Sequence, residues 1–147
     1  MSSSRVRRSL LLLALTLVVA GGCDRKPQPV PVSGNVTIDG KPLQGGYVRV
    51  IPTTGRLAYG VIDENGHYSL TTFTSGDGVY PGEHTVEIAG YQDKPGKRTW
   101  LAPPYYKDEK LSNLTAKIDG PREDLNFELT WKNAKEAEPF DEIVPKE

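Results

Sequence analysis

Val32-Ser33-Gly34-Asn35-Val36-Thr37-Ile38-Asp39-Gly40 alternates apolar or small residues with polar ones and then stops at an Asp-Gly pair. Period-two alternation puts Val32, Gly34, Val36 and Ile38 on one face of an extended chain and Ser33, Asn35 and Thr37 on the other. Asp39-Gly40 supplies a turn, because glycine accepts positive φ without steric cost. The segment therefore reads as a β-strand with one buried face.

The same pattern recurs downstream. Val48 and Val50 alternate with Tyr47, Arg49 and Ile51 in a second strand that Pro52 ends, since proline donates nothing to a ladder. Leu57 to Ile62 reads as a third strand. Asp63-Glu64-Asn65-Gly66 turns the chain into a fourth, His67 to Thr71, with Tyr68 and Leu70 on one face. A fifth opens at Pro81-Gly82, with His84, Val86 and Ile88 pointing one way and Thr85, Glu87 and Ala89 the other. Leu114, Ala116 and Ile118 mark a sixth, and Leu125, Phe127 and Leu129 a seventh. Seven short strands separated by turns, with no helix-period segment between Val30 and Trp131, predict an all-β, seven-stranded β-sandwich over residues 31–131.

Composition agrees with one domain. The chain has 147 residues, 37% hydrophobic and 25% charged, which is too apolar for a wholly disordered protein. Its 15 glycines and 12 prolines suit many short elements joined by turns. With 18 basic and 19 acidic residues it carries no broad cationic excess for a phosphate backbone, so nucleic acid is not an expected partner.

The first 22 residues differ from the rest and read as an export signal. Arg5, Arg7 and Arg8 form a basic start, and Leu10 to Ala20 is an apolar run broken only by Thr16, shorter than the ~20 residues of a membrane-spanning helix. Ala20-Gly21-Gly22 then leads into Cys23, an order that resembles the lipobox of bacterial lipoproteins, where lipid is attached to the cysteine thiol and the signal is cut just before it. Cys23 is the only cysteine, so it forms no intramolecular disulfide, and lipidation accounts for its presence. Two acyl chains give stable anchoring where one is marginal. The expected partner is thus a membrane, reached through lipid on Cys23, and the expected location is the cell envelope, facing the periplasm or exterior. Removing the three arginines leaves 15 basic and 19 acidic residues, a net charge of −4. Asp24 resembles a signal that some bacteria read as inner-membrane retention. Residues 23–30 form the acylated cysteine and a proline-bearing spacer. Residues 132–147, with five acids, three lysines and two prolines, are expected to be a mostly disordered acidic tail, with weak docking through Phe140, Ile143 and Val144.

Several stretches taken in order carry a resemblance. They are Gly34-Asn35-Val36-Thr37-Ile38-Asp39-Gly40-Lys41-Pro42-Leu43, Gly45 to Pro52, Asp63 to Leu70, Tyr80 to Val86, and Tyr106-Lys107-Asp108 leading to Ser112-Asn113-Leu114-Thr115-Ala116. Together they resemble the carboxypeptidase regulatory-like domain, in small lipoproteins of the kind abundant in planctomycetes. The resemblance spans about residues 30 to 130. It implies a transthyretin-like (prealbumin-like) sandwich and a noncatalytic folding, spacing or binding role. Ile62 and His84 depart from that pattern, which has threonine and an aromatic at those places.

No pattern of residues predicts catalysis, a metal or a cofactor. His67 and His84 are the only histidines and belong to no ligand motif. Asp63-Glu64-Asn65-Gly66 lacks the alternating acids of a calcium loop and reads as a plain turn. Ser75-Gly76-Asp77-Gly78 precedes a strand rather than a helix and reads as a flexible loop. No G-x-S-x-G is present, and the lone thiol is committed to the anchor. The connection from Tyr91 to Lys110 is long for a loop and holds Tyr91, Trp100, Tyr105 and Tyr106 among Lys94, Lys97, Arg98 and Lys107. Such a mix suits stacking on sugars or anchoring a protein. The expected contacts for an envelope protein or a glycan are Trp100, Tyr105 and Tyr91. Flat exposed rings there favour glycan binding, and buried rings favour a structural or interaction module.

Overall fold

A computed structural model of the chain describes residues 27–132, 134 and 139–144. The signal segment, Cys23 and half of the tail lie outside the described residues. The described chain is all-β. Its strands are β1 (Ser33–Ile38), β2 (Lys41–Pro42), β3 (Tyr47–Pro52), β4 (Ala58–Val61), β5 (His67–Ser69), β6 (Gly82–Ala89), β7 (Tyr91–Lys94), β8 (Lys97–Trp100), β9 (Leu114–Ile118), β10 (Phe127–Leu129) and β11 (Phe140–Ile143). One 3-10 turn, Pro104–Lys107, interrupts them.

The strands form three open sheets. In the first, β1 is central: it runs parallel to β10 with Val36 opposite Phe127, and antiparallel to β2 and β5. The second has the order β4-β3-β6-β9, all antiparallel. Inward-facing residues of both meet in one hydrophobic core. Val36, Tyr68, Phe127 and Leu129 come from the first sheet, and Val48, Val50, Val86, Ile88 and Ile118 from the second. This arrangement is consistent with a β-sandwich. Alternation explains it directly, since Val48 and Val50 are fully buried while Tyr47, Arg49 and Ile51 are half-buried.

The third sheet, β11-β8-β7, corrects one expectation and adds detail to another. The Tyr91 to Lys110 segment is not an irregular connection. It opens with a β-hairpin whose turn is Pro95-Gly96, where Gly96 has φ of 76°, and then enters the 3-10 turn. Proline followed by a left-handed glycine is the pair a type II turn demands. In the tail, expected to be mostly disordered with weak docking, Phe140–Ile143 pairs antiparallel with β8. Of the three tail residues expected to dock, Phe140 packs, whereas Ile143 is 86% exposed.

The loop at Ser75-Gly78 also departs from its expectation. The Asp77 carboxylate accepts hydrogen bonds from the main-chain N–H groups of Thr72 (2.7 Å), Phe73 (2.9 Å) and Thr74 (3.0 Å), and the Thr71 hydroxyl accepts one from Gly76 N–H at 3.0 Å. A carboxylate that takes three amide donors holds a loop in one shape.

Candidate functional site

Tyr91 and Trp100 face each other across the β7–β8 hairpin, with ring centroids 5.7 Å apart. Arg98 clamps this pair. Its guanidinium makes two hydrogen bonds to Asp93 (2.7 and 2.9 Å) and lies 4.1 Å from the Tyr91 ring centroid. The fork geometry of arginine satisfies the carboxylate and stacks on the aromatic together. The hydrogen bond from Arg98 holds the Asp93 carboxyl below the usual range.

From Tyr91 the aromatic contacts run in both directions. Towards the second sheet, Tyr91 meets Tyr47 edge-on at 6.1 Å, and Tyr47 meets Tyr59 at 5.5 Å. Towards the tail, Trp100 stacks on Phe140 at 6.5 Å, and Phe140 meets Trp131 at 6.4 Å. Arg49 sits over Tyr47 at 4.9 Å and pairs with Glu87 at 3.2 Å. Glu87 is nearly buried, so this pair is less screened than an ordinary surface bridge.

The two ends of this ring series differ. Trp100 is 3% exposed: Lys107 and Arg98 cover its ring, and its indole N–H donates to Glu142 at 2.8 Å. It offers no open ring face. Tyr59 is 39% exposed and Val61 is 64% exposed, with half-buried Tyr47 and Tyr91 alongside. The accessible end of this ring series is thus the outer face of β3 and β4 where it meets the hairpin.

Of the three contact residues expected from the sequence, Tyr91 belongs to this face and Trp100 lies beneath its continuation. Tyr105 lies apart, half-buried beside Tyr106 at 4.3 Å, in a cleft with Leu111, Ser112 and Asn113. Burial, followed by the neighbouring Tyr106 hydroxyl, pushes the Tyr105 phenol up to about 12. Tyr106 is core, and its hydroxyl accepts the Thr130 N–H at 3.2 Å. Tyr47, Arg49 and Tyr59 were not anticipated as contacts. Their signal was present: Tyr59 and Val61 are apolar at the alternate positions of β4 that face away from buried Ala58 and Gly60.

No family model, curated protein or solved structure matches the chain. Among the described residues no group of three or more His, Cys, Asp or Glu is placed to hold a metal ion, and no helix is long and apolar enough to cross a membrane. His84 is buried, its Nε2 2.8 Å from the Tyr80 carbonyl oxygen, and burial holds its imidazole below the ordinary histidine value. His67 is exposed beside the Asp63 turn.

Proposed function

We propose that this protein is a noncatalytic cell-envelope lipoprotein, anchored by lipid on Cys23, whose seven-stranded transthyretin-like sandwich serves as a structural or interaction module. The order of basic, apolar and small residues before Cys23 supports the anchor. The alternating strands in the order quoted above support the carboxypeptidase regulatory-like reading. The described residues hold eleven strands in three open sheets, four more strands than the seven expected.

The observation that carries the interaction role is the exposed face of Tyr59 and Val61 beside Tyr47, Arg49 and Tyr91. Tyrosine and arginine concentrated on a rigid sheet supply contact area at little cost in ordering. Burial of Trp100 favours this reading over a glycan-binding lipoprotein, which needs flat rings open to solvent.

The test is co-purification of envelope partners with the membrane-tethered protein from its native host. Tyr59→Ala combined with Val61→Ser, at unchanged Tm, is expected to remove a protein that the wild type retains. Retention undiminished by the double substitution rejects the face, and capture of polysaccharide instead of protein supports the glycan reading. For the anchor, wild-type protein is expected to take up labelled fatty acid and Cys23→Ser protein is not.

A further inference from the structure

The geometry points to a second contact surface, the end of the domain formed by Phe73, Leu57, Arg56 and Tyr80, which lies against the bilayer that holds the Cys23 lipid. This inference rests on the lipid-anchor reading and adds the orientation of the domain on the membrane.

Chain length carries the first part of the argument. Only Asp24, Arg25 and Lys26 separate Cys23 from Pro27, so Pro27 stands at most about 14 Å from the acylated residue at roughly 3.5 Å per residue. Pro27 lines one cleft with Arg56, Phe73 and Tyr80. Three residues later Val30 is fixed to Val79 by reciprocal main-chain hydrogen bonds of 2.8 and 3.0 Å. The short leash therefore enters the domain at this end and holds it near the membrane surface.

The second part is the chemistry of what the end displays. Phe73 is 56% exposed and Leu57 40% exposed, side by side along a neighbouring cleft. Arg56 lies 5.1 Å from the Phe73 ring centroid, and Tyr80 meets Phe73 edge-on at 6.3 Å. Glu83 is the one carboxylate lining the cleft. An apolar projection backed by tyrosine and arginine is the composition of the membrane interface, where aromatic rings sit at headgroup level and arginine meets lipid phosphate.

Preorganisation is the third part. Asp77 fixes the backbone on both sides of Phe73, so the ring is held out towards solvent by a built loop. A ring presented in a fixed shape enters the interface without an added ordering cost.

The full-length lipidated protein, in vesicles of phosphatidylethanolamine and phosphatidylglycerol, provides the test. With Cys23 acylated, Phe73→Cys and Leu57→Cys each introduce a single free thiol for a nitroxide label, and Lys94→Cys at the far hairpin serves as the control. Labels at 73 and 57 are expected to be reached by oxygen in preference to a water-soluble nickel relaxant, with the reverse at 94. Three aqueous labels on protein that floats with the vesicles overturn the proposed orientation and leave the anchor standing. Labels at 73 and 57 shielded from both relaxants indicate a protein contact and also overturn it. Protein that lacks the acyl mass on Cys23 and fails to float overturns the anchor itself, and the orientation with it.

Discussion

Tyr68 donates a 2.6 Å hydrogen bond from its buried hydroxyl to the main-chain oxygen of Leu125, 57 residues further along the chain. Burial pushes the phenol well above its ordinary value, which keeps the hydroxyl a donor at neutral pH. Tyr68→Phe keeps the ring against Phe127 and leaves the carbonyl without that donor. The expected cost is about 1–3 kcal/mol, read as a lower urea midpoint at unchanged slope. An unchanged midpoint would mean that Leu125 finds another donor.

Gly34 packs against the same carbonyl. A Cβ there would stand 2.0 Å from Leu125 O, which is backbone and unable to yield without moving β1. Gly34→Ala is expected to destabilise by roughly 1–3 kcal/mol, in the manner of overpacking. Gly120→Ala, where a Cβ meets nothing within 4 Å, is expected to stay within about 0.5 kcal/mol of wild type. Equal effects at the two positions would contradict the packing described for β1.

Asp77 predicts a pH effect confined to one loop. The amides of Thr72, then Thr74 and Phe73, hold its carboxyl below the usual range. A carboxyl depressed on folding contributes order that is fully present above its unfolded value of about 3.9 and is lost as pH falls through the lower folded value. Amide exchange at 72–74 is therefore expected to accelerate only in strong acid, and Asp77→Asn to accelerate it at neutral pH while the core amides of β6 stay protected. Loop amides insensitive to Asp77→Asn would refute the role given to the carboxylate.

Phe140 is the tail's hold on the domain. It joins Trp100 and Trp131, while the neighbouring Asp141 is held by Lys97 at 2.7 Å and Thr99 at 2.8 Å. The polar pairs are exposed and contribute little each, so the ring contacts dominate. Phe140→Ala is expected to release 140–143, raising amide exchange along β8 and β11, and to change global stability by less than about 1 kcal/mol. A collapse of the whole fold would show that β11 is integral to the core.

The strands that bury one face were legible in the sequence because the core imposes period two on them: β1, β3, β9 and β10 each follow their alternating apolar residues, and β6 does so at His84, Val86 and Ile88 although its other face is also covered at Glu87 and Ala89. Tyr91-Gln92-Asp93-Lys94 was not, because no alternating face of it is buried; its order comes from cross-strand pairs such as Asp93–Arg98 and from the Pro95-Gly96 turn, the one local signal that marked a hairpin. β11 was legible only as a weakly docking Phe140, Ile143 and Val144, since the strand it pairs with, β8, is supplied by distant chain. The candidate face was half legible for the same reason. Tyr91 stood out by composition, while Tyr47 and Tyr59 gained meaning only when β3 and β4 placed them side by side.

The parallel pairing of β1 with β10 has a consequence for the order of events during synthesis. Asn35 reaches its partner Asn126 across 91 residues. At roughly 5–20 residues per second, β1 leaves the ribosome about 5–20 s before β10 exists to cover its edge. Through that interval the edge of β1 that later pairs with β10 has no native neighbour, and an open strand edge invites pairing with other chains. Final closure is a long-range event of the kind that makes β-proteins slow to fold. A strand made late, β10, is thus the one that retires the first strand's exposed edge.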